Sequence, residues 1–172
     1  VVATQLESKT ASWENEYTYT MYDEVIASKE LADNLINNTS AAQDAVSEEI
    51  IEKVSKFYEI AVEAKSIDAK IDELSDTYES SMTDALILIK NSITALKENG
   101  GTDNAINAEK LAKFNTLYAA DEEYKRQQFL TKVTEIEELM DEIGATYEAS
   151  EKEQVELAKE KYDELIKSAG AS

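Results

Sequence analysis

Between Val46 and Leu96 an apolar or small residue recurs every three or four positions without interruption: Val46, Ile50, Val54, Phe57, Ala61, Ala64, Ile67, Ile71, Leu74, Tyr78, Met82, Ala85, Ile89, Ile93 and Leu96. That spacing is the period of an α-helix, and so long a stripe is the seam along which helices pack nearly side by side. Proline, which removes a backbone donor and clashes with the preceding turn, is absent from all 172 residues. The spacing therefore predicts one helix over 41–98, about 85 Å long at 1.5 Å per residue.

Two further helices follow from the punctuation. Asn37-Asn38-Thr39-Ser40 is a turn-forming cluster, and Ser40 with Gln43 makes a capping box that opens the long helix. Before it, helix 1 spans residues 3–37, with Leu6, Trp13, Tyr17, Met21, Val25, Leu31 and Leu35 on one side and the small polar Ser28 on that stripe. Asn99-Gly100-Gly101-Thr102-Asp103 is a helix stop followed by an N-cap candidate. Helix 3 then covers 103–168, with Gly144 as a break point and Ser150 followed by Glu153 as a restart.

Short loops make neighbouring helices antiparallel, so helix 1 pairs with helix 2 at residue numbers summing to about 79, and helix 3 at numbers summing to about 202. The expected fold is all-α: a single domain over 1–172, an elongated three-helix antiparallel bundle that thins into a two-helix hairpin arm tipped by Gly100-Gly101. The alternative is a four-helix bundle, with the long helix broken near Ser80-Ser81 and Ser81 and Asp84 forming a cap. In the elongated version two polar intervals, 76–81 and 121–128, meet where three helices become two. Tyr78, Ser80, Ser81 and Tyr124 then form a hinge belt between bundle and arm.

With 42% hydrophobic residues the chain has material for a core, and it lacks the proline-rich, aliphatic-poor character of disordered chains. A formal net charge of −20, with Arg126 the only arginine, argues against nucleic acid and against anionic membrane surfaces, both of which need clustered cations. No apolar run approaches the roughly 20 residues of a membrane span; the longest, Ala85 to Ile89, is far too short. Cysteine and histidine are both absent, which removes thiolate nucleophiles, imidazole bases, Cys/His zinc sites and Ser-His-Asp triads.

The carboxylates Asp76, Glu79, Asp121, Glu122 and Glu123 ring the polar belt. The Glu-x-x-His pattern of di-iron bundles is missing, and so is any calcium loop, so these acids are expected to be solvated surface. A slim bundle also leaves no room for a cleft in which a carboxylate pair does acid–base work. The expectation is a protein that is not an enzyme and carries no cofactor and no metal.

Among exposed groups, Tyr19 and Tyr22 fall off the core stripe, and aromatic side chains of this kind anchor partners. Together with Asn99, Gly100, Gly101 and Asn104 at the arm tip they form the candidate partner-binding surface. The expected function is a helical interaction protein at the bacterial cell surface or envelope, binding a protein or a cell-envelope polymer. Two alternatives belong to other classes: an extracytoplasmic sensor domain for a small ligand, and a coiled-coil oligomerisation module that self-associates through the long seam. The extracytoplasmic expectation rests on the lack of Cys and His, the excess of Lys over Arg, and a start at Val1. That start is expected to follow a removed export signal or anchor.

Overall fold

The structure is a computed structural model that describes residues 2–13, 17–37, 47–145 and 151–169. Among these residues there are six α-helices and no strand: α1 (Val2–Ala11), α2 (Tyr22–Asn37), α3 (Glu48–Asp72), α4 (Thr83–Glu98), α5 (Ala108–Ala145) and α6 (Lys152–Ala169). Short 3-10 turns at Tyr19–Met21, Ser80–Met82 and Asp103–Ala105 punctuate them. The protein is all-α. Its contacts gather into two compact units, Val1–Tyr118 and Ala119–Ser172.

The rod expected over 41–98 is two helices. Helix α3 ends at Asp72 and α4 begins at Thr83. Between them Ser75 and Thr77 turn the chain, the Ser75 hydroxyl accepting the Thr77 N–H at 3.3 Å, a local bond that competes with the helical ladder. The Leu74 carbonyl, left over at the helix end, accepts from Lys113 Nζ at 2.8 Å, and the same ammonium pairs with Asp76 at 2.9 Å. Reversing the chain here lets Ile67 and Ile71 share one buried cluster with Leu86, Ile89, Ile93 and Leu96. Lys70 Nζ reaching Ser92 Oγ at 3.3 Å marks the antiparallel pairing. The seam packs on itself instead of running straight. The break lies where the four-helix alternative put it, but the Ser81–Asp84 cap does not form: α4 starts without a side-chain cap, and the Thr83 hydroxyl donates to the Ser80 carbonyl at 3.2 Å.

Helix 1 is likewise divided, into α1 and α2. Trp13 and Tyr17 lie between them and bury against Phe57 of α3, with ring centroids 5.4 and 5.6 Å away. Helix α2 then runs antiparallel to α3, Lys29 lying over the Tyr58 ring and Lys65 over Tyr22. That register differs from the expected one by about one turn on each helix. Ser28, on the buried face, satisfies its hydroxyl on the Glu24 carbonyl at 2.8 Å. The Asn37–Ser40 turn, the Ser40–Gln43 box and Val46 lie outside the described residues; α3 is instead capped by Ser47, whose hydroxyl accepts the Ile50 N–H at 3.4 Å.

Next to Gly100-Gly101 Lys97 pairs with Asp103 at 2.9 Å, close to the expected register, whereas Lys90 lies over the Tyr118 ring, about six positions away from it. The stop is a Schellman motif: Gly101 N–H bonds to the Leu96 carbonyl at 2.8 Å and Gly100 N–H to Lys97 at 3.0 Å, with Gly100 at φ 91°. The following helix begins later than expected, because Asn107 rather than Asp103 caps it. Asn107 Oδ1 accepts the Glu109 and Lys110 N–H groups at 3.0 and 3.2 Å. Its own N–H is held by Asp68 of α3 at 3.1 Å, a carboxylate only 4% exposed. Helix α5 passes through Gly144, and the Ser150 restart lies outside the described residues. In the second unit, Ile136 and Leu165 are buried and Lys161 of α6 pairs with Glu135 of α5 at 3.2 Å.

The two glycine environments predict opposite effects. A methyl group on Gly101 would lie 2.8 Å from Leu96 Cγ and 2.9 Å from its carbonyl oxygen, whereas one on Gly144 meets nothing within 4 Å. Gly101→Ala should cost about 1–3 kcal/mol and Gly144→Ala should stabilise by about 0.5 kcal/mol, both read from urea unfolding midpoints.

Candidate functional site

Because α4 folds back along α3, the loop after it does not tip a projecting arm. It returns to the start of α3 and meets the segment that joins α1 to α2, and concave surfaces form on both sides of the junction. One cleft, of about 490 Å³, has Trp13, Tyr17, Phe57 and Ile60 as its apolar lining. Gly100, Gly101, Thr102 and Asn104 supply a second wall, and Glu49, Glu52, Lys53 and Lys56, one face of α3, supply a charged rim. The other cleft, of about 470 Å³, lies between Thr18, Tyr19 and Thr20 on one side and Asp103, Asn104, Ile106 and Leu111 on the other. Asn104 lines both. The expectation of a bundle too slim for a cleft is thereby corrected, and the cause is the division of the two long helices.

The groups in the first cleft are unusual in their pairing. Trp13 is fully buried and Tyr17 is 8% exposed, yet the indole Nε1–H and the phenol oxygen have no hydrogen-bond partner among the described residues. A buried polar group left this way costs about 1–3 kcal/mol. Burial, helped by the nearby Tyr22, pushes the Tyr17 phenol up to about 12, so it stays protonated across the physiological range. Lys56 Nζ lies against Gly100, 3.1 Å from where a β-carbon would stand.

The residues named from sequence come together in part. Tyr19 and Asn104 face one cleft, and Gly100, Gly101 and Asn104 wall the other. Tyr22 is half-buried, and Lys65 Nζ lies 4.9 Å from its ring and 5.9 Å from that of Tyr19. Asn99 is the exposed C-cap of α4. Tyr78, Ser80 and Ser81 belong to the first unit and Tyr124 to the second. Ser80 and Ser81 mark a chain reversal, not a hinge within a rod, because no continuous helix passes through them. Of the five belt acids, Asp121 is a correction: it is fully buried and paired with Lys125 at 2.9 Å. Glu123 accepts from Arg126 and Gln127, bonds that hold its carboxyl well below the usual carboxylate range, at about 2. Trp13 and Tyr17, placed on the core stripe by their spacing, also line a cleft, where Lys56 and Phe57 of α3 and Thr102 of the loop after α4 join them.

Among the described residues no group of three or more acidic side chains is arranged to hold a metal ion, and no helix is long and apolar enough to cross a membrane. Compared with known proteins, the chain matches no family model, no curated relative and no solved structure.

The Tyr17 phenol makes stability fall at high pH. Its ordinary value is 10.0 and its folded value about 12, so the folded state keeps a proton that the unfolded chain releases. The contribution is complete below pH 10 and is lost between about 10 and 12. Tyr17→Phe should flatten that part of the decline, seen by comparing urea midpoints of the two proteins across this window.

Proposed function

We propose that this chain is a non-catalytic binding protein of the cell envelope or surface, and that its recognition face is the ground around Asn104. The observation that carries the proposal is convergence. Thr18, Tyr19 and Thr20 line one cleft together with Asp103 and Asn104, more than 80 positions away in sequence. Its apolar base of Ile106 and Leu111 is edged by Thr18, Thr20 and Asn115, donors and acceptors suited to a peptide backbone. An aromatic anchor beside hydrogen-bonding edges is the usual make-up of a contact that carries binding energy. The absence of His and Cys supports the non-catalytic half of the reading, and a net charge of −20 favours a partner that is neutral or basic. The envelope assignment rests on composition alone.

A second reading, a sensor domain for a small ligand, is favoured by one observation: the cleft beside Trp13 and Tyr17 keeps two buried polar atoms unpaired.

The principal reading is tested by selecting binders from a displayed peptide library against the intact chain. Tyr19→Ala combined with Asn104→Ala should weaken the selected peptides at least about tenfold while the melting temperature stays within a few degrees. Peptides that bind the double variant as well as the parent would refute it.

A further inference from the structure

We infer that the cleft between Trp13, Tyr17, Phe57 and the Gly100–Asn104 loop is a site for a small neutral molecule that carries a carbonyl or hydroxyl oxygen on an apolar body. This inference rests on the small-ligand reading and names its chemistry. Size is the first ground: about 490 Å³ lies within the range of pockets that hold small organic ligands. The second is the lining. Phe57 and Ile60 offer apolar surface, which suits a ring or short chain and gives a charged group nothing to pair with at the base.

Hydrogen-bond inventory selects the oxygen. The indole Nε1–H of Trp13 is a donor only, and the Tyr17 hydroxyl, kept protonated by its raised pKa, donates as well. Two donors without partners call for an acceptor. Charge selects neutrality. The rim carries Lys53 and Lys56 against Glu49 and Glu52, which cancel, while the chain as a whole is strongly negative and repels anions. The two carboxylates of the lining, Glu49 and Glu52, are matched in number by Lys53 and Lys56, so a cation gains no net charge to pair with.

Both polar atoms are shut off from solvent. A ligand would reach them by displacing the Tyr17 ring, which packs on Phe57 in a tilted contact at 5.6 Å and lies near Tyr22 but has no hydroxyl hydrogen bond to break. The free energy stored in two unpaired donors is released when an acceptor arrives, so ligand binding and floor opening favour each other.

Trp13 is the only tryptophan, so its indole N–H gives a single resonance that reports the cleft. The test titrates the intact chain with acetophenone, with ethylbenzene as the hydrocarbon of similar shape and with benzoate as the anion. Acetophenone should move the Trp13 indole resonance saturably and bind at least about fivefold tighter than either comparator, the ratio expected of one good neutral hydrogen bond. Tyr17→Phe should remove most of that preference while its melting temperature stays equal or rises, since a hydroxyl without a partner is lost. Ethylbenzene binding as tightly as acetophenone, or an unchanged preference in both Tyr17→Phe and Trp13→Phe, would overturn the inference. Tighter binding of benzoate would overturn it too, while leaving a small-ligand site in place. No saturable shift with any of the three would remove the inference and the reading beneath it together.

Discussion

Helix α3 has apolar residues on more than one side, and covering them is the constraint from which the first unit follows. Ile60 and Ala61 are both buried, as are Ile67 and Asp68, so adjacent positions point inward and a single partner helix cannot shield them. The chain answers by surrounding α3. Helices α1, α2 and α4 and two of the 3-10 turns all touch it. At about 25 cal/mol per Å² of apolar area, each covered isoleucine or phenylalanine adds roughly 1.5–3 kcal/mol, more than the helical bonds given up where the chain turns. The reversal at 73–82 is therefore a consequence of burial. It also brings distant loops to one end of α3, where the clefts form.

Much of this was legible in the chain, and what was missed has a physical cause. Helical character could be seen from the spacing of Val54, Phe57, Ala61 and Ala64, and the helix stop from Gly100-Gly101, whose geometry depends on glycine at both positions. The reversal after Asp72 could not be seen the same way. Leu74, Tyr78 and Met82 keep the three-to-four spacing and remain packed against the core although the backbone there is not α-helical. Periodicity records which side chains are apolar, and turn residues that also serve the core pass the same filter. Ser75, Asp76 and Thr77 were the contrary signal; Asp76 and Thr77 looked like part of a polar belt because the partner that holds the turn, Lys113 on the Leu74 carbonyl and Asp76, arrives from α5. Asn107 escaped notice for a similar reason: its capping role is fixed by Asp68, 39 positions away. Trp13 and Tyr17 were recognisable as large and apolar, but a cavity is a property of two loops meeting, which no single stripe encodes.

Two kinds of buried polarity stand side by side in the first unit. Asp68 is buried with its hydrogen bond made, and it locates the start of α5. Trp13 and Tyr17 are buried with theirs unmade. A fold of marginal stability tolerates few groups of the second sort, and phenylalanine at position 17 would fill similar space without a stranded polar atom. The small-ligand site inferred above would give these two atoms the partner that the fold does not.

The Asp68–Asn107 hydrogen bond also bears on how the molecule assembles in time. Joining these residues early would close a loop of some forty positions for the reward of one bond, an unfavourable exchange for a flexible chain. Once α3 and α4 have zipped together, the Schellman turn delivers Asn107 to within a few residues of its acceptor, and the closure entropy has already been spent on the hydrophobic seam. The cheaper route is sequential, with the hairpin first and the seating of α5 second. In that order a carboxylate on one helix acts as the template on which the next helix nucleates its first turn.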